Sequence, residues 1–443
     1  MNNKTAIVLF SDDFRINDNP ALFYASKNYE NIIPLYIYQE DYLGRKIGAA
    51  SKVFLHKVLE SFNSLLKKEY GVNLIIRKGN RIDVIKEILN QIPLHGVYFN
   101  HSYTLKQIQD EQLIRNELKH LDVRSFKAKL LFEPWEIKTQ KNEYFKVFTP
   151  FSKECIKKID LIQEDFPKPL QINNNINLKG ISLEELSFLP KNEGNWYENI
   201  LKNWNFDHYE IEHNFMDFIN QKVNFYSENR NIPAKNGNAN ISPYLRFGML
   251  SPKFCFQAAS IMTSSYHNQF NLELLWREFA YHVAYYNHNI VTQELKEEYK
   301  EFIWDESPEL LKKWQQGKTG FDIIDAGMNE LWKTGVMHNR VRMIAASFLI
   351  KDLLINWRLG EQWFWDTLVD ADPAINPFSW QWVFGSGFDA APYFRIFNPD
   401  LQKERFDSNE TYCKKWLFKQ NEKIVNHDFQ RQIAMDRYKN LKH

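Results

Sequence analysis

Ala6-Ile7-Val8-Leu9-Phe10 is a five-residue apolar run closed by Ser11-Asp12-Asp13, and the repetition of such runs along the first third of the chain decides the fold. Further β-branched runs recur at Ile32–Tyr38, Val72–Ile76 and Gly96–Tyr98, each bounded by polar turns, with amphipathic helices predicted between them over Ser51–Glu69 and Ile82–Ile92. Strands alternating with helices imply a parallel sheet joined by helical crossovers. Residues 1–132 therefore read as a Rossmann-like α/β domain. Pro150, Pro167, Pro169, Pro190 and the run Asn173-Asn174-Asn175 predict a connector with little regular structure, so residues 133–205 read as an interdomain linker. From about 208 onward the apolar residues fall three and four apart. Helices are predicted over Leu272–His288, Gly320–Thr334, Asn339–Ile355 and Gly360–Leu368. Residues 206–443 form a larger, all-α domain in this reading.

The opening run is too short for the core of a secretory signal, and no uninterrupted apolar stretch approaches membrane-spanning length. Cys155, Cys255 and Cys413 form no CxxC pair and no zinc-type spacing. A cytoplasmic, metal-free protein with reduced thiols and no membrane partner is expected, and a monomer. The charges nearly cancel, 56 Lys+Arg against 55 Asp+Glu, which excludes a globally basic nucleic-acid coat but not a local patch. The skew lies in tryptophan. Of 13 indoles, only Trp135 precedes residue 195.

Three segments of the helical half could carry chemistry. In Leu272–Phe279, Glu273, Trp276 and Arg277 lie three and four apart, so a carboxylate, an indole and a guanidinium can share one helical face. A solvated ion pair beside a core Trp fits the spacing equally. In Met337–Ile344, Asn339 and Met343 lie four apart, suited to the edge and face of a flat ring. Arg340 and Arg342 open a long apolar helix there and require anions nearby. Asp370-Ala371-Asp372 precedes a Gly- and Pro-broken segment containing Trp380-Gln381-Trp382, expected to be a loop that presents its indoles. Two acids one residue apart suit hydroxyl or ring N–H groups, or pairing with Arg340 or Arg342. No third acid or His lies close enough in sequence to favour a metal.

Taken together, these motifs resemble the photolyase/cryptochrome flavoprotein family from Phe10 to about Asn398. Phe10–Leu22 resembles the family's FRxDLRxxDNPAL signature. Trp276–Phe279, Met337–Met343, Trp380–Trp382 and Asp389–Pro399 are similar to cyclobutane-dimer photolyases in particular. The resemblance implies FAD held within the helical domain and damaged DNA as partner. It places Tyr226 and the stretch Asn238, Ala239, Asn240, Ile241, Ser242 at the FAD phosphates, although members usually read Thr-Ser-Arg-Leu-Ser there. It places Asp370, Ala371 and Asp372 at flavin and ribose, with Arg342 pairing Asp370, and Asn376 opposite flavin N5. Glu273, Trp276, Asn339, Met343 and Trp382 match the pocket for a flipped pyrimidine dimer. Arg230, Arg277, Arg340 and Arg395 match phosphate clamps. Trp304, Trp357 and Trp380 match an electron-transfer chain.

The implied reaction is blue-light electron transfer from reduced FAD, which splits the dimer without a protein nucleophile. A cryptochrome photoreceptor without repair activity is the alternative. Asn376 and the complete set of pocket residues count against it. A (6-4) photolyase would be expected to carry a His pair near 338–342, where His338 stands alone. Folate-binding members carry Asn-Glu after the position of Tyr103, whereas this chain has Lys106-Gln107. 5,10-Methenyltetrahydrofolate is preferred to a deazaflavin as antenna, with an empty site as the third possibility.

Overall fold

The computed structural model describes residues 4–162, 164–190, 194–391 and 394–441. Five strands, β1 (Thr5–Phe10), β2 (Asn31–Tyr38), β3 (Ile75–Lys78), β4 (Gly96–Asn100) and β5 (Asp122–Phe126), form a parallel sheet in the order β3-β2-β1-β4-β5. Helices Pro20–Asn28, Ala49–Tyr70, Arg81–Leu89 and Leu105–Glu117 make the crossovers. Every residue of β1, β2 and β4 is buried, as a sheet covered on both faces requires. The expected α/β class is therefore observed. The predicted strand at Val72–Ile76 begins later, at Ile75, where pairing with Leu35 of β2 starts, and Val72 and Leu74 are buried in the approach to it. Strand β5, Asp-Val-Arg-Ser-Phe, carried no strand signal in the sequence because it is half-buried at the sheet edge and has no apolar run.

The chain order reverses between β1 and β4, which opens a crevice at the carboxyl ends of these strands. The helical region fills it. Asp12 pairs with Arg246 (2.8 Å) and Lys129 (2.8 Å), and Arg15 Nη1 donates to the Gly248 carbonyl at 3.2 Å. Burial alone would push the Asp12 carboxyl up, but the two cations more than reverse this and hold it well below the carboxylate range. Much of the Phe10–Leu22 signature thus serves the domain junction. Asn19 caps the Pro20–Asn28 helix, accepting from Leu22 N at 3.2 Å, and Pro20 occupies its first turn, where no N–H is needed.

The connector is more regular than expected. It carries the helix Phe148–Lys157, two short 3₁₀ turns and the helix Trp196–Leu201, and it returns along the sheet edge, where Ile181 N donates to Ile76 O at 2.9 Å. Beyond it, helices include Gln269–Tyr286, Asp322–Thr334, Asn339–Lys351, Trp357–Thr367 and Ile375–Phe384. The Asn339 helix stops four residues short of its predicted end, since Leu354 takes a left-handed φ of 55°. One large apolar cluster joins the sheet to the first helices. A second surrounds Trp314, Trp357 and Trp380.

The expected loop at Trp380-Gln381-Trp382 is instead helical, within Ile375–Phe384. Pro377 falls in the first turn and Gly385 just past the end in the left-handed conformation, so both apparent breakers mark boundaries of a helix. Gln381 is fully buried and anchors that helix. Its amide donates to the Ile290 and Gln293 carbonyls (2.7 and 2.8 Å) and accepts from Leu295 N at 2.8 Å.

Candidate functional site

Glu273 opens the second turn of the Gln269–Tyr286 helix, which Asn268 caps by accepting from Asn271 N. Its Oε1 accepts from Arg230 Nη1 at 2.6 Å and from Gln269 Nε2 at 2.8 Å. Burial pushes the Glu273 carboxyl up, opposed by Arg230, Gln269 and Arg340. One turn on, Trp276 is half-buried and stacks on Phe148 of the connector, with ring centroids 3.8 Å apart and planes 10° from parallel. Arg277 does not join this face. It is buried, pairs with Glu278 Oε1 at 3.0 Å and lies over the Tyr281 ring, so the expected phosphate clamp is an internal cation.

The Asn339–Lys351 helix is capped by His338, whose Nδ1 accepts from Arg340 N. Asn339 is exposed and Met343 half-buried on this helix. Burial, together with Arg342, Arg340 and Arg230, pushes the His338 imidazole down to about 4 and keeps it neutral. Arg340 donates to Asn231 Oδ1 at 2.7 Å, and its Nε is buried without a protein partner. Arg340 and Arg395 line a groove of about 750 Å³ together with Arg405, Arg431, Phe397 and Phe406. Arg405 and Arg431 had no signal in the sequence, being separated from the motifs and brought in by C-terminal helices.

Arg342 Nη2 donates to Asp370 Oδ2 at 3.0 Å, so the expected ion pair is present, and Ser242 Oγ donates to the same oxygen at 2.6 Å. Asp370 Oδ1 is buried without a partner. An unmatched carboxylate oxygen beside a guanidinium and a hydroxyl calls for a polar ligand bearing a donor, which the ring N–H and hydroxyl groups of FAD satisfy. Asp372 is different. Its Oδ2 accepts from Tyr281 OH at 2.6 Å, and its Oδ1 accepts from Ala374 N (2.9 Å) and Ile375 N (3.1 Å), so it supports the next helix and keeps acceptor capacity on Oδ2 alone. The Ala371 carbonyl accepts from Arg246 Nε.

In the Asn238–Ser242 stretch, Asn240 takes a left-handed φ of 52° and Ile241 is buried. The next helix is one turn long with Pro243 near its start, so it offers fewer N–H groups than a long helix would. Tyr226 packs against Phe218 and Phe270, beneath Arg230. It therefore adjoins the Glu273–Arg230 pair. Asn376 is buried and donates through Nδ2 to Glu361 O (3.1 Å) and Glu361 Oε1 (2.8 Å).

Trp380 is buried against the Trp357–Thr367 helix at Gly360, where a Cβ would overlap the indole and lie 2.5 Å from Leu349 Cδ2. Its ring meets Phe364 at 5.1 Å and Trp314 at 6.2 Å. Trp357 is buried and donates to Glu294 Oε1 at 3.0 Å, and Trp304 is half-buried against Phe302 and Phe384. Trp382 donates to Asp389 O at 3.1 Å and lines a small cavity with Lys351 and Arg395. Pro392 and Tyr393 of the last motif lie outside the described residues. Lys106 pairs with Asp110, and Gln107 completes a capping box with Thr104, so both have structural partners. No group of three metal-ligating side chains occurs among the described residues, and no described helix is long and apolar enough to cross a membrane.

A fold and a site of this kind define a flavoprotein class, and comparison with known proteins gives the family. Residues 6–170 match the DNA photolyase model and residues 270–423 match the FAD binding domain of DNA photolyase. The chain belongs to the photolyase/cryptochrome family and is an enzyme of the photo-lyase type. It is 36% identical to a deoxyribodipyrimidine photo-lyase of Agrobacterium fabrum, over 94% of this chain and 88% of that protein. A crystal structure of a bacterial class III photolyase from Agrobacterium tumefaciens superposes with a TM-score of 0.94 at 32% identity, covering 100% of this chain and 98% of that one. Cryptochrome-2 of Arabidopsis thaliana is 30% identical over 94% of this chain and 70% of that protein.

Proposed function

We propose that this protein repairs cyclobutane pyrimidine dimers in DNA, using blue light absorbed by a bound, reduced FAD. The observation that carries this reading is the junction of two unlike sites. Arg342, Ser242 and the unpartnered Asp370 oxygen form a polar cradle, while Glu273, Arg230, Trp276 and Arg340 form an adjoining cationic and aromatic mouth. His338 links the two, lying close to Arg230, Arg340 and Arg342.

In this reading Asp370, Ser242, Arg342, Asn376 and the 238–242 stretch hold FAD, which supplies an excited-state electron when bound. The protein's own residues do the rest. A fused pyrimidine pair must leave the stack to reach a cofactor, and Trp276 and Trp382 replace part of the lost stacking, worth about 1–3 kcal/mol per base. Glu273 presents a carboxyl with a raised pKa to the base edge, held in place by Arg230 and Gln269. Asn339 and Met343 complete the pocket. Arg340 and Arg395 hold phosphates on either side of the lesion, joined by Arg405 and Arg431 in the same groove, and Arg277 is left out because it is buried. Trp380, Trp357 and Trp304 would relay electrons from an external reductant at the surface toward the cofactor site. For an antenna chromophore, 5,10-methenyltetrahydrofolate is preferred to a deazaflavin.

The purified protein should carry FAD absorption and bind a duplex containing one thymine dimer at least ~10³-fold more tightly than undamaged duplex, the lower end of specific-site discrimination. Equal affinity for the two duplexes would argue for the photoreceptor reading.

A further inference from the structure

The segment after β2 reaches across to the helical region and closes on the Trp357–Thr367 helix. Arg45 Nη1 and Nη2 donate to the two carboxylate oxygens of Glu361 at 2.9 and 2.7 Å, and the guanidinium lies 3.4 Å from the centre of the Trp365 ring. The neighbouring contacts fix this docking. Trp365 Nε1 donates to Lys46 O at 2.8 Å, Ala49 N donates to Asp366 Oδ1 at 2.9 Å, and Ser51 Oγ donates to Leu368 O at 3.0 Å. Gly48 lies so close to the Trp365 carbonyl that any Cβ would overlap it. Glu361 is 2% exposed, and besides Arg45 it touches Asn376, whose amide nitrogen donates to its carboxylate and its carbonyl.

An ionised carboxylate only accepts hydrogen bonds, so Glu361 obliges Asn376 to turn its NH2 group toward it. Both N–H donors of Asn376 are then used, and Oδ1, an acceptor, is left for whatever lies on the other side. Without the Arg45 guanidinium the Glu361 carboxylate loses the two charge-assisted bonds that fix its position, and of the two acceptors that hold the Asn376 NH2 group only the Glu361 carbonyl stays fixed.

We propose that Arg45 is a positioning residue for the flavin site. By fixing the Glu361 carboxylate against Asn376, the α/β domain sets which end of the Asn376 amide faces the cofactor. The proposal rests on the reading of Asn376 as the residue opposite flavin N5. A fixed acceptor there favours the reduced cofactor, which carries hydrogen at N5, over the oxidised one, which does not. The domain that lacks the catalytic cradle would in this way help hold the cofactor in its working redox state.

The test uses the flavin-loaded, full-length protein and reads the redox behaviour of the bound FAD in the dark. Arg45→Met is expected to lower the midpoint potential and to speed air oxidation of reduced FAD by about 2- to 30-fold, the range of an ordinary coupling energy. Glu361→Gln should shift both in the same direction. The double variant should go no further than the stronger single one, and Arg45→Lys should recover most of the wild-type rate. An oxidation rate within twofold of wild type in Arg45→Met, or additive effects in the double variant, would overturn the proposal. Should Arg45→Met not fold, Glu361→Gln decides alone, and an unchanged potential there overturns it equally. Wild-type protein that binds no FAD would instead refute the flavin reading on which the proposal stands.

Discussion

Asp370→Asn is the sharpest probe of the cradle, because it preserves shape while removing charge. Arg342 Nη2 and Ser242 Oγ both donate to Asp370 Oδ2, at 3.0 and 2.6 Å, and Oδ1 has no protein partner. The asparagine carbonyl can take the place of Oδ2, so both bonds survive as neutral ones. A bond to a charged group contributes about 1.5–3 kcal/mol and a neutral one about 0.5–1.5. The Arg342 side chain is about a quarter exposed, at 24%, so solvent screening reduces that difference to about 1 kcal/mol. The larger effect falls on the other oxygen. The NH2 group replaces Oδ1 and turns an acceptor into a donor, leaving a ligand N–H or O–H unmatched at a cost of about 1–3 kcal/mol. Fluorescence titration of FAD into the cofactor-free protein should therefore show binding weakened by about 10- to 100-fold. Thermal unfolding of the same cofactor-free protein should change by only about 1 kcal/mol. Asp372→Asn is the control, since its oxygens serve Tyr281 and two backbone N–H groups, and it should lose stability in the cofactor-free state. An Asp370→Asn protein that binds FAD within twofold of wild type would refute the assignment.

Other consequences concern the mouth and the domain junction. Glu273→Ala should reduce the yield of dimer repair per absorbed photon while FAD content stays at the wild-type level, and loss of FAD would place Glu273 in the cofactor site instead. Arg405→Gln and Arg431→Gln should each weaken duplex binding regardless of sequence and lower the slope of log affinity against log salt by about one, since one phosphate contact is lost. Burial pushes the Glu133 carboxyl up to about 7. Its proton is therefore held more tightly in the folded protein, and the associated stability is present below the ordinary glutamate range and lost as pH rises through about 7. That amounts to about 3 kcal/mol at most. The drop in melting temperature between pH 5 and pH 8.5 should be smaller in Glu133→Gln than in wild type.

The alternation of apolar runs and helical spacing made the α/β domain legible, because a parallel sheet covered on both faces leaves an unbroken apolar signature in β1 and β2. Strand β5 lay at the edge, kept polar residues and gave none. The same limit applies at the site. Glu273 and Arg277 are four apart and share a helical sector, yet Glu273 meets Arg230 while Arg277 turns inward to Glu278. Spacing assigns a sector but not which part of it faces solvent. Pro377 and Gly385 read as loop residues because position relative to a helix end, rather than residue type, decides what they do. Arg45 carried no motif, since its importance comes from a docking between segments more than 300 residues apart. The Arg342–Asp370 pair was readable, because motifs record which residues belong together even when spacing does not.

Light-driven repair is tested most directly by one measurement: repair of an oligonucleotide containing a single thymine dimer, by purified protein with reduced FAD, in blue light and in darkness. Restored thymines are expected in the illuminated sample and none in the dark. Equal outcomes in light and darkness, with FAD bound and reduced, would contradict the repair mechanism.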